Sequence, residues 1–335
     1  MLIYPVAEKC TDKFAAEIAA LLACSGIRTH HTQFGDRRVI VADDNAAAVL
    51  PIIQQHSKSI EATLDVPETY QLTSKRVRPG GTVIKIRDFA VGGGHFGIIA
   101  GPCTIETEKQ VLTAAERVKK GGATALRGGA FKPRTSPYAF QGLKLEGLKI
   151  LQKAAEETGL VTVTEAMSSD EVKLVAEYAD IVQIGTRNAQ NYRLLETCGE
   201  MRVPILLKRG YGCSLDEFLM SAEYILAGGN DRVILCERGI RTFENYVRYT
   251  LPIAAVPMLK MLTHLPLVVD PSHAAGRADL VSKLSFASTA AGCDGLLVEV
   301  HPDPQHALCD GRQSLTPEEF AVMTEKCRKI RELLV

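Results

Sequence analysis

LVTVTEAMSSDEVKLVAEYADIVQIGT, residues 160–186, decides the fold. It reads as a short apolar strand (LVTVTEA, 160–166), an amphipathic helical stretch (SSDEVKLVAEYA) and a second short apolar strand (DIVQIGT, 180–186), the rhythm of a parallel β–α–β unit. The same rhythm fills the chain from residue 97 onward. Strands are predicted at GIIAGPC (97–103), ATALRGG (123–129), PILLKRG (204–210), RVILCERG (232–239), PLVVDPSH (266–273) and GLLVEVH (295–301). Helical stretches such as EKQVLTAAERVKKGG, KLEGLKILQKAAEETG and SLDEFLMSAEYILAGG lie between them, several ending in glycine as helix stops should. Eight such repeats over residues 97–335 predict a (β/α)8 TIM barrel, whose usual size is about 250 residues. A doubly wound sheet is the alternative; eight strands with no antiparallel edge favour closure. TVIKIRD (82–88) is placed to add a strand that plugs the bottom of the barrel.

Upstream of this region the chain reads as a small α/β unit. LIYPV (2–6) is a strand, and Asp12 leads into the helix KFAAEIAALLACSG, with Gly26 as its stop. THHTQFGDRRVIVADD (29–44) is a hairpin turning near Gly35-Asp36, AAAVLPIIQQH (46–56) is a helix weakened by Pro51, and ETYQLTS (68–74) is the last strand. The order βαββαβ is that of a ferredoxin-like domain. With RVRPGG (76–81) as the linker, the expected division is 1–79, ferredoxin-like, and 80–335, the barrel.

Length and composition agree with two soluble units: 335 residues, 46% hydrophobic and 23% charged. Lys plus Arg and Asp plus Glu both number 39, so the formal net charge is zero, which excludes a general nucleic-acid binder. The most apolar stretch, TLPIAAVPMLKMLTHLPLVVD (250–270), is broken by three prolines, a lysine and a histidine, so no membrane span is expected. The N-terminus MLIYPVAEKC lacks the regions of a signal peptide. Nine cysteines without a CxxC pair suit a reducing cytoplasm better than a disulfide framework.

In such a barrel the active site is built at the C-terminal ends of the strands, and those ends deliver two sets of residues. The first is basic: Arg127, Lys132 and Arg134 after strand 2, Arg187 after strand 4, Lys208 and Arg209 at strand 5, Arg238 at strand 6. Any one of these is ordinary surface chemistry. Their convergence in a chain of zero net charge implies an anionic substrate carrying phosphates or carboxylates. The second set is Cys103 after strand 1, His273 after strand 7, Glu299 on strand 8 and Asp310 in the loop beyond. Alone, a cysteine is a small hydrophobe and a histidine a hydrogen-bonded structural residue. Barrel closure makes strands 1, 7 and 8 neighbours, so the four converge as a mixed sulfur, nitrogen and oxygen set. That set suits a divalent cation of the Mn, Fe, Co or Zn class. Cys309, directly before Asp310, is carried to the same point, where it can bridge Cys103 if their α-carbons come within about 7 Å. GGGHFG (92–97) spells a dinucleotide fingerprint but precedes a strand instead of following one, and reads as a turn. Lys208 as a Schiff-base lysine is a weaker reading beside the metal set.

GPCTIE (101–106), LRGGAFKPRTSPYAFQG (126–142), IGTRNAQN (184–191), LLKRG (206–210), CERGIRTFE (236–244), VVDPSHAAGR (268–277) and LLVEVHPDP (297–304) together resemble 3-deoxy-D-arabino-heptulosonate 7-phosphate (DAHP) synthase of type Iβ. KPRTS (132–136) separates the chain from 3-deoxy-D-manno-octulosonate 8-phosphate synthase, the alternative, which condenses phosphoenolpyruvate with arabinose 5-phosphate. The resemblance implies a metal-dependent transferase that condenses phosphoenolpyruvate with D-erythrose 4-phosphate and water, giving DAHP and phosphate, the first step of the shikimate pathway. It also implies site roles. Arg187, Lys208 and Arg238 hold the phosphate of phosphoenolpyruvate; Arg127 and Lys132 lie near its carboxylate; Arg134, Thr135 and Ser136 take the sugar phosphate. Cys103, His273, Glu299 and Asp310 hold the metal, Lys132 protonates the new alkoxide, and either the metal or Glu165 activates water. Residues 1–79 resemble the regulatory appendage of feedback-inhibited members, with Tyr or Phe as effector, in a cytoplasmic homo-oligomer, a tetramer.

Overall fold

The computed structural model describes residues 1–6, 11–134 and 136–334. The chain opens with β1 (Leu2–Pro5), α1 (Asp12–Ala23), β2 (Thr29–Phe34), β3 (Arg37–Ala42), α2 (Ala46–Ile53) and β4 (Ile60–Leu64). The strands form one antiparallel sheet in the order β2–β3–β1–β4, the ferredoxin-like arrangement. Ile18 and Leu22 of α1 and Val49 and Ile53 of α2 pack with Ile3 and Ile40 of the sheet, as helices with one apolar stripe must.

The last strand is a correction. It is IEATL, not the ETYQLTS expected from the sequence. In ETYQLTS the amides of Gln71, Leu72 and Thr73 donate to the carboxylate of Glu223 at 2.9, 2.6 and 2.9 Å, and the Thr73 hydroxyl donates to it at 2.9 Å. Amides committed to a carboxylate cannot join a ladder. Tyr70 and Leu72 are buried with the apolar residues of the barrel, so residues 66–79, assigned above to the small domain, run along the barrel wall. The small sheet docks there too. Arg78 lies 4.3 Å over the Phe34 ring and pairs with Asp231 at 2.8 Å.

A hairpin follows, β5 (Ile84–Ile86) and β6 (Phe89–Val91), and then the barrel strands: β7 (Gly97–Gly101), β8 (Ala125–Arg127), β9 (Val161–Ala166), β10 (Ile181–Ile184), β11 (Ile205–Lys208), β12 (Val233–Glu237), β13 (Leu267–Val269) and β14 (Gly295–Glu299). Helices α3 (Glu108–Lys120), α4 (Leu145–Thr158), α5 (Ser169–Tyr178), α6 (Tyr192–Glu200), α7 (Leu215–Ala227), α8 (Ala255–Leu262), α9 (Pro271–Ala275), α10 (Ala278–Ala290) and α11 (Pro317–Glu332) intervene or follow. All eight barrel strands are parallel and closed, β14 pairing with β7 from Gly295↔Gly97 to Glu299↔Gly101. Strands buried on both faces read as continuous apolar runs. Ile99, Val163, Leu206, Ile234, Val268 and Leu297 fill the interior, while their neighbours Ile98, Leu207, Leu235, Val269 and Leu296 pack in the main core outside it.

The expected plug is present as the β5–β6 hairpin, whose Ile84, Phe89 and Val91 join the interior residues. GGGHFG forms the turn from plug to β7. Gly92 has φ +86°, and a Cβ there would meet the Thr82 carbonyl oxygen at 2.2 Å, so the tight return needs glycine. Among the described residues no helix is long and apolar enough to cross a membrane, and the cysteines are unpaired; Cys10 lies outside the described residues.

Candidate active site

The register of β14 on β7 sets Glu299 beside Gly101, two residues before Cys103. β13 ends at Val269, and His273 stands in the short helix α9. Asp270 caps that helix by accepting the His273 amide at 2.9 Å. Asp310 adopts φ +54°, the left-handed region that aspartate tolerates better than most residues. One ligand atom from each of Cys103, His273, Glu299 and Asp310 lies within 4.8 Å of the others. The four residues expected to hold a metal are brought together.

Neighbouring side chains fix the protonation and aim of that cluster. Burial pushes His273 below its ordinary value, favouring the neutral ring that ligates metals. Its Nδ1 lies 2.7 Å from Asp270 Oδ2, bent away from a straight hydrogen bond, and its Nε2 faces Glu299 Oε1 at 3.3 Å. Burial alone would raise Glu299, but His273 when protonated, with the standing charges of Arg127 and Lys132, outweighs it and holds the carboxyl at about 2. Arg127 pairs with Glu299 at 2.5 Å and Gln313 donates to it at 2.6 Å. Cys103 lies 3.4 Å from Cys309, sulfur to sulfur, and 3.3 Å from Asp310 Oδ2. The bond with Cys309 and then burial push the Cys103 thiol well up; the bond to Cys103 and the Lys132 charge draw Cys309 down to about 7.

Beside the cluster is a cavity of about 310 Å³, lined by cations and aromatics. Of the basic residues expected from the sequence, Lys132, Arg134, Arg187, Lys208 and Arg238 line it, as does Ser136. Thr135 lies outside the described residues. Arg127 is absent from the lining; it is buried and Glu299 holds its guanidinium at 2.5 Å. Arg209 is absent because Glu237 holds it at 2.6 Å and the Cys213 carbonyl takes its other N–H groups. Lys132 Nζ lies 3.1 Å from Cys103 Sγ, at the boundary between metal cluster and cavity. Glu165 also lines the cavity and accepts from Gln183 at 2.9 Å. A Cβ on Gly185 would strike its carboxylate at 2.0 Å, so glycine there leaves Glu165 its place. Lys208 Nζ donates to Asp270 at 2.6 Å, so one carboxylate touches both a metal ligand and a cavity cation.

The profile of the DAHP synthetase I family matches residues 70–334. The chain belongs to that family. A relative, the phospho-2-dehydro-3-deoxyheptonate aldolase of Thermotoga maritima, is 48% identical over 97% of this chain and 96% of its own length. A 2-dehydro-3-deoxyphosphooctonate aldolase of Syntrophotalea carbinolica is 34% identical over 69% of this chain and 90% of its own length. The crystal structure of the Thermotoga maritima DAHP synthase superposes with a TM-score of 0.79 at 44% identity, covering 99% of this chain and 97% of that one. A truncated form of the Thermotoga maritima synthase gives 0.74 at 47% identity, covering 79% of this chain and 97% of that one. The type Iβ resemblance and the barrel with its ferredoxin-like appendage accord with these matches. Together the family match and the 48% identity to a DAHP synthase over 97% of the chain show the DAHP synthase reaction, a transferase reaction of the shikimate pathway.

Sequence reasoning missed Tyr211, Tyr249, Arg248, Asp270 and Gln313. Arg248 bonds Asp310 at 3.3 Å and Gln313 at 3.0 Å, bracing two of the carboxylate ligands. Asp270 stands in the DPSH string already read for His273, and Tyr211 follows KRG directly. Position next to a named strand end was the available signal.

Proposed function

We propose that this cavity holds phosphoenolpyruvate and D-erythrose 4-phosphate while they condense with water to give DAHP and phosphate, and that the residues divide the work as follows. Arg187, Lys208 and Arg238 bind the phosphate of phosphoenolpyruvate. Lys132 meets its carboxylate. Arg127, expected beside that carboxylate, instead orients Glu299. Arg134 and Ser136, with Thr135, receive the sugar phosphate. The observation that carries this reading is the juxtaposition, across Lys132, of a four-ligand cluster with cavity cations that suit two phosphates and a carboxylate.

The cluster fits a divalent cation of the Mn, Fe, Co or Zn class, since one thiol, one imidazole and two carboxylates are a mixed borderline set. When bound there, such an ion supplies Lewis acidity toward the aldehyde oxygen. Carbon 3 of phosphoenolpyruvate then attacks the aldehyde carbon. Lys132, whose charge a Cys103 thiolate and Glu165 support against burial, donates the proton that the new alkoxide takes up. Water adds to carbon 2, with Glu165 in the cavity wall as its base, and phosphate leaves the resulting hemiketal. A thiol that must stay reduced to ligate accords with a cytoplasmic site of action. The test is phosphate release with both substrates, with and without chelator, and with arabinose 5-phosphate in place of erythrose 4-phosphate. Faster turnover of the pentose would overturn the assignment in favour of octulosonate chemistry.

Two predictions follow from this division. Arg134→Ala raises the Michaelis constant for erythrose 4-phosphate, and Arg238→Ala raises that for phosphoenolpyruvate. Each loses a charge-assisted bond of ~1.5–3 kcal/mol, about ten- to a hundredfold. Steady-state kinetics with each substrate varied in turn checks the separation; equal weakening of both substrates by both variants refutes it.

Among its described residues the small domain supplies none to the cluster or cavity, and regulation is its proposed role, with Tyr or Phe as effector in a homotetramer. Because Tyr70 and Leu72 pack on the barrel, the cut that separates the units belongs near Val66 and not at the linker. A chain beginning at Val66 is expected to keep turnover and lose inhibition. Inhibition assays on that chain and the full chain decide it; retained inhibition moves the effector site into the barrel.

A further inference from the structure

The buried cations at this end of the barrel are mostly neutralised. Arg127 has Glu299, Lys208 has Asp270 and Arg209 has Glu237. Arg238 is equally buried, yet among the described residues no carboxylate pairs with it. Its NH1 reaches only the Gly239 carbonyl at 3.5 Å, and its Nε has no hydrogen-bond partner. A buried guanidinium without compensation is costly.

The compensation is aromatic. The guanidinium carbon lies 3.9 Å from the centroid of Tyr249 and 5.4 Å from that of Tyr211. The two rings stack with centroids 5.2 Å apart and planes 7° from parallel. Both line the cavity. The backbone holds this pair in place. Tyr249 N–H donates to the Ala274 carbonyl at 2.8 Å, and Tyr211 accepts from the Arg241 amide at 2.8 Å. Ile240 and Thr250 exchange two bonds at 2.9 and 3.0 Å. Gly239, directly after Arg238, has φ +90°, and a Cβ there would lie 2.9 Å from Tyr249 Cβ. Glycine lets the chain close on the ring.

The difference between a ring and a carboxylate matters for an anion-binding arginine. A carboxylate would occupy the N–H fork that a substrate phosphate needs. A ring face attracts the cation through its quadrupole and leaves the N–H edge free. We propose that Tyr249, backed by Tyr211, is a positioning residue that seats Arg238 for the phosphate of phosphoenolpyruvate. This rests on the role given to Arg238 above. Tyr249 touches no reacting atom; it sets affinity through the arginine.

The experiment compares Tyr249→Leu, Tyr249→Phe, Tyr211→Leu and Arg238→Ala with the parent in the full-length, metal-loaded chain. Calorimetric binding of phosphoenolpyruvate and steady-state kinetics with both substrates are the readouts. Tyr249→Leu is expected to raise the phosphoenolpyruvate Kd and KM on the order of tenfold, with kcat and the erythrose 4-phosphate KM moving less than about twofold. Tyr249→Phe, which keeps the ring face, recovers most of that affinity. Tyr211→Leu loses about threefold, in keeping with its greater distance, and decides the matter should Tyr249→Leu fail to fold. Parental affinity in the leucine variants, alongside weakened binding in Arg238→Ala, overturns the seat and leaves the phosphate assignment standing. A phenylalanine variant as weak as the leucine one also overturns it, since the hydroxyl would then be responsible. Unchanged binding in Arg238→Ala brings down the phosphate assignment itself, and the seat with it.

Discussion

Chelation abolishes turnover, a divalent cation of the Mn class restores it, and His273→Ala loses metal and activity together while keeping the fold. The expected loss is about a thousandfold or more, because Lewis-acid stabilisation of a developing alkoxide amounts to several kcal/mol. The fold survives because each neighbour of His273 has a second partner. Without the imidazole, Asp270 retains Lys208 at 2.6 Å, and Glu299 retains Arg127 at 2.5 Å and Gln313 at 2.6 Å. No buried carboxylate is left alone, which is the condition that makes removal of one partner destructive. Elemental analysis of the purified variant, its melting curve and a phosphate-release assay check the three parts separately. Full activity in protein shown by elemental analysis to be free of metal would sink the Lewis-acid role.

What the sequence made legible follows from what is local and what closure imposes. The barrel strands were readable because each is buried on both faces, so Ile98-Ile99, Leu206-Leu207 and Leu296-Leu297 appear as unbroken apolar runs. Once eight such strands close, the first and last must meet, and Cys103, His273, Glu299 and Asp310 converge by topology alone. The last strand of the small domain was not readable. IEATL is a sheet edge with little buried surface, whereas ETYQLTS looks more like a strand. Its fate is set by Glu223, some 150 residues away. The same distance hides Arg127. Nothing near LRGG reveals that its guanidinium is held by a carboxylate 172 residues on. Tyr211 and Tyr249 sit in polar loops and acquire meaning only when the loops meet over Arg238.

Air inactivates the metal-free protein through a Cys103–Cys309 disulfide, and metal protects. The two sulfurs lie 3.4 Å apart, so a bond of about 2.05 Å needs a movement of roughly 1.4 Å. Cys309 is the thiol that dioxygen oxidises first. Its hydrogen bond with Cys103 and the charge of Lys132 bring its thiol down to about 7, and the Arg134 guanidinium lies 2.6 Å from its sulfur. Cationic surroundings of this kind favour the reactive thiolate. Dioxygen takes two electrons and the two protons, leaving the disulfide and hydrogen peroxide. Since Cys103 is one of the four metal ligands, the bridged protein cannot take up the ion, and the loss of activity is complete. Bound metal occupies the Cys103 sulfur and slows the reaction; a reductant followed by metal restores turnover. Cys309→Ser removes the partner without touching a ligand, and is expected to stay active after the same exposure to air. Peptide mapping of air-inactivated apo-protein decides the matter, because a free Cys309 thiol in the inactive fraction is incompatible with the bridge.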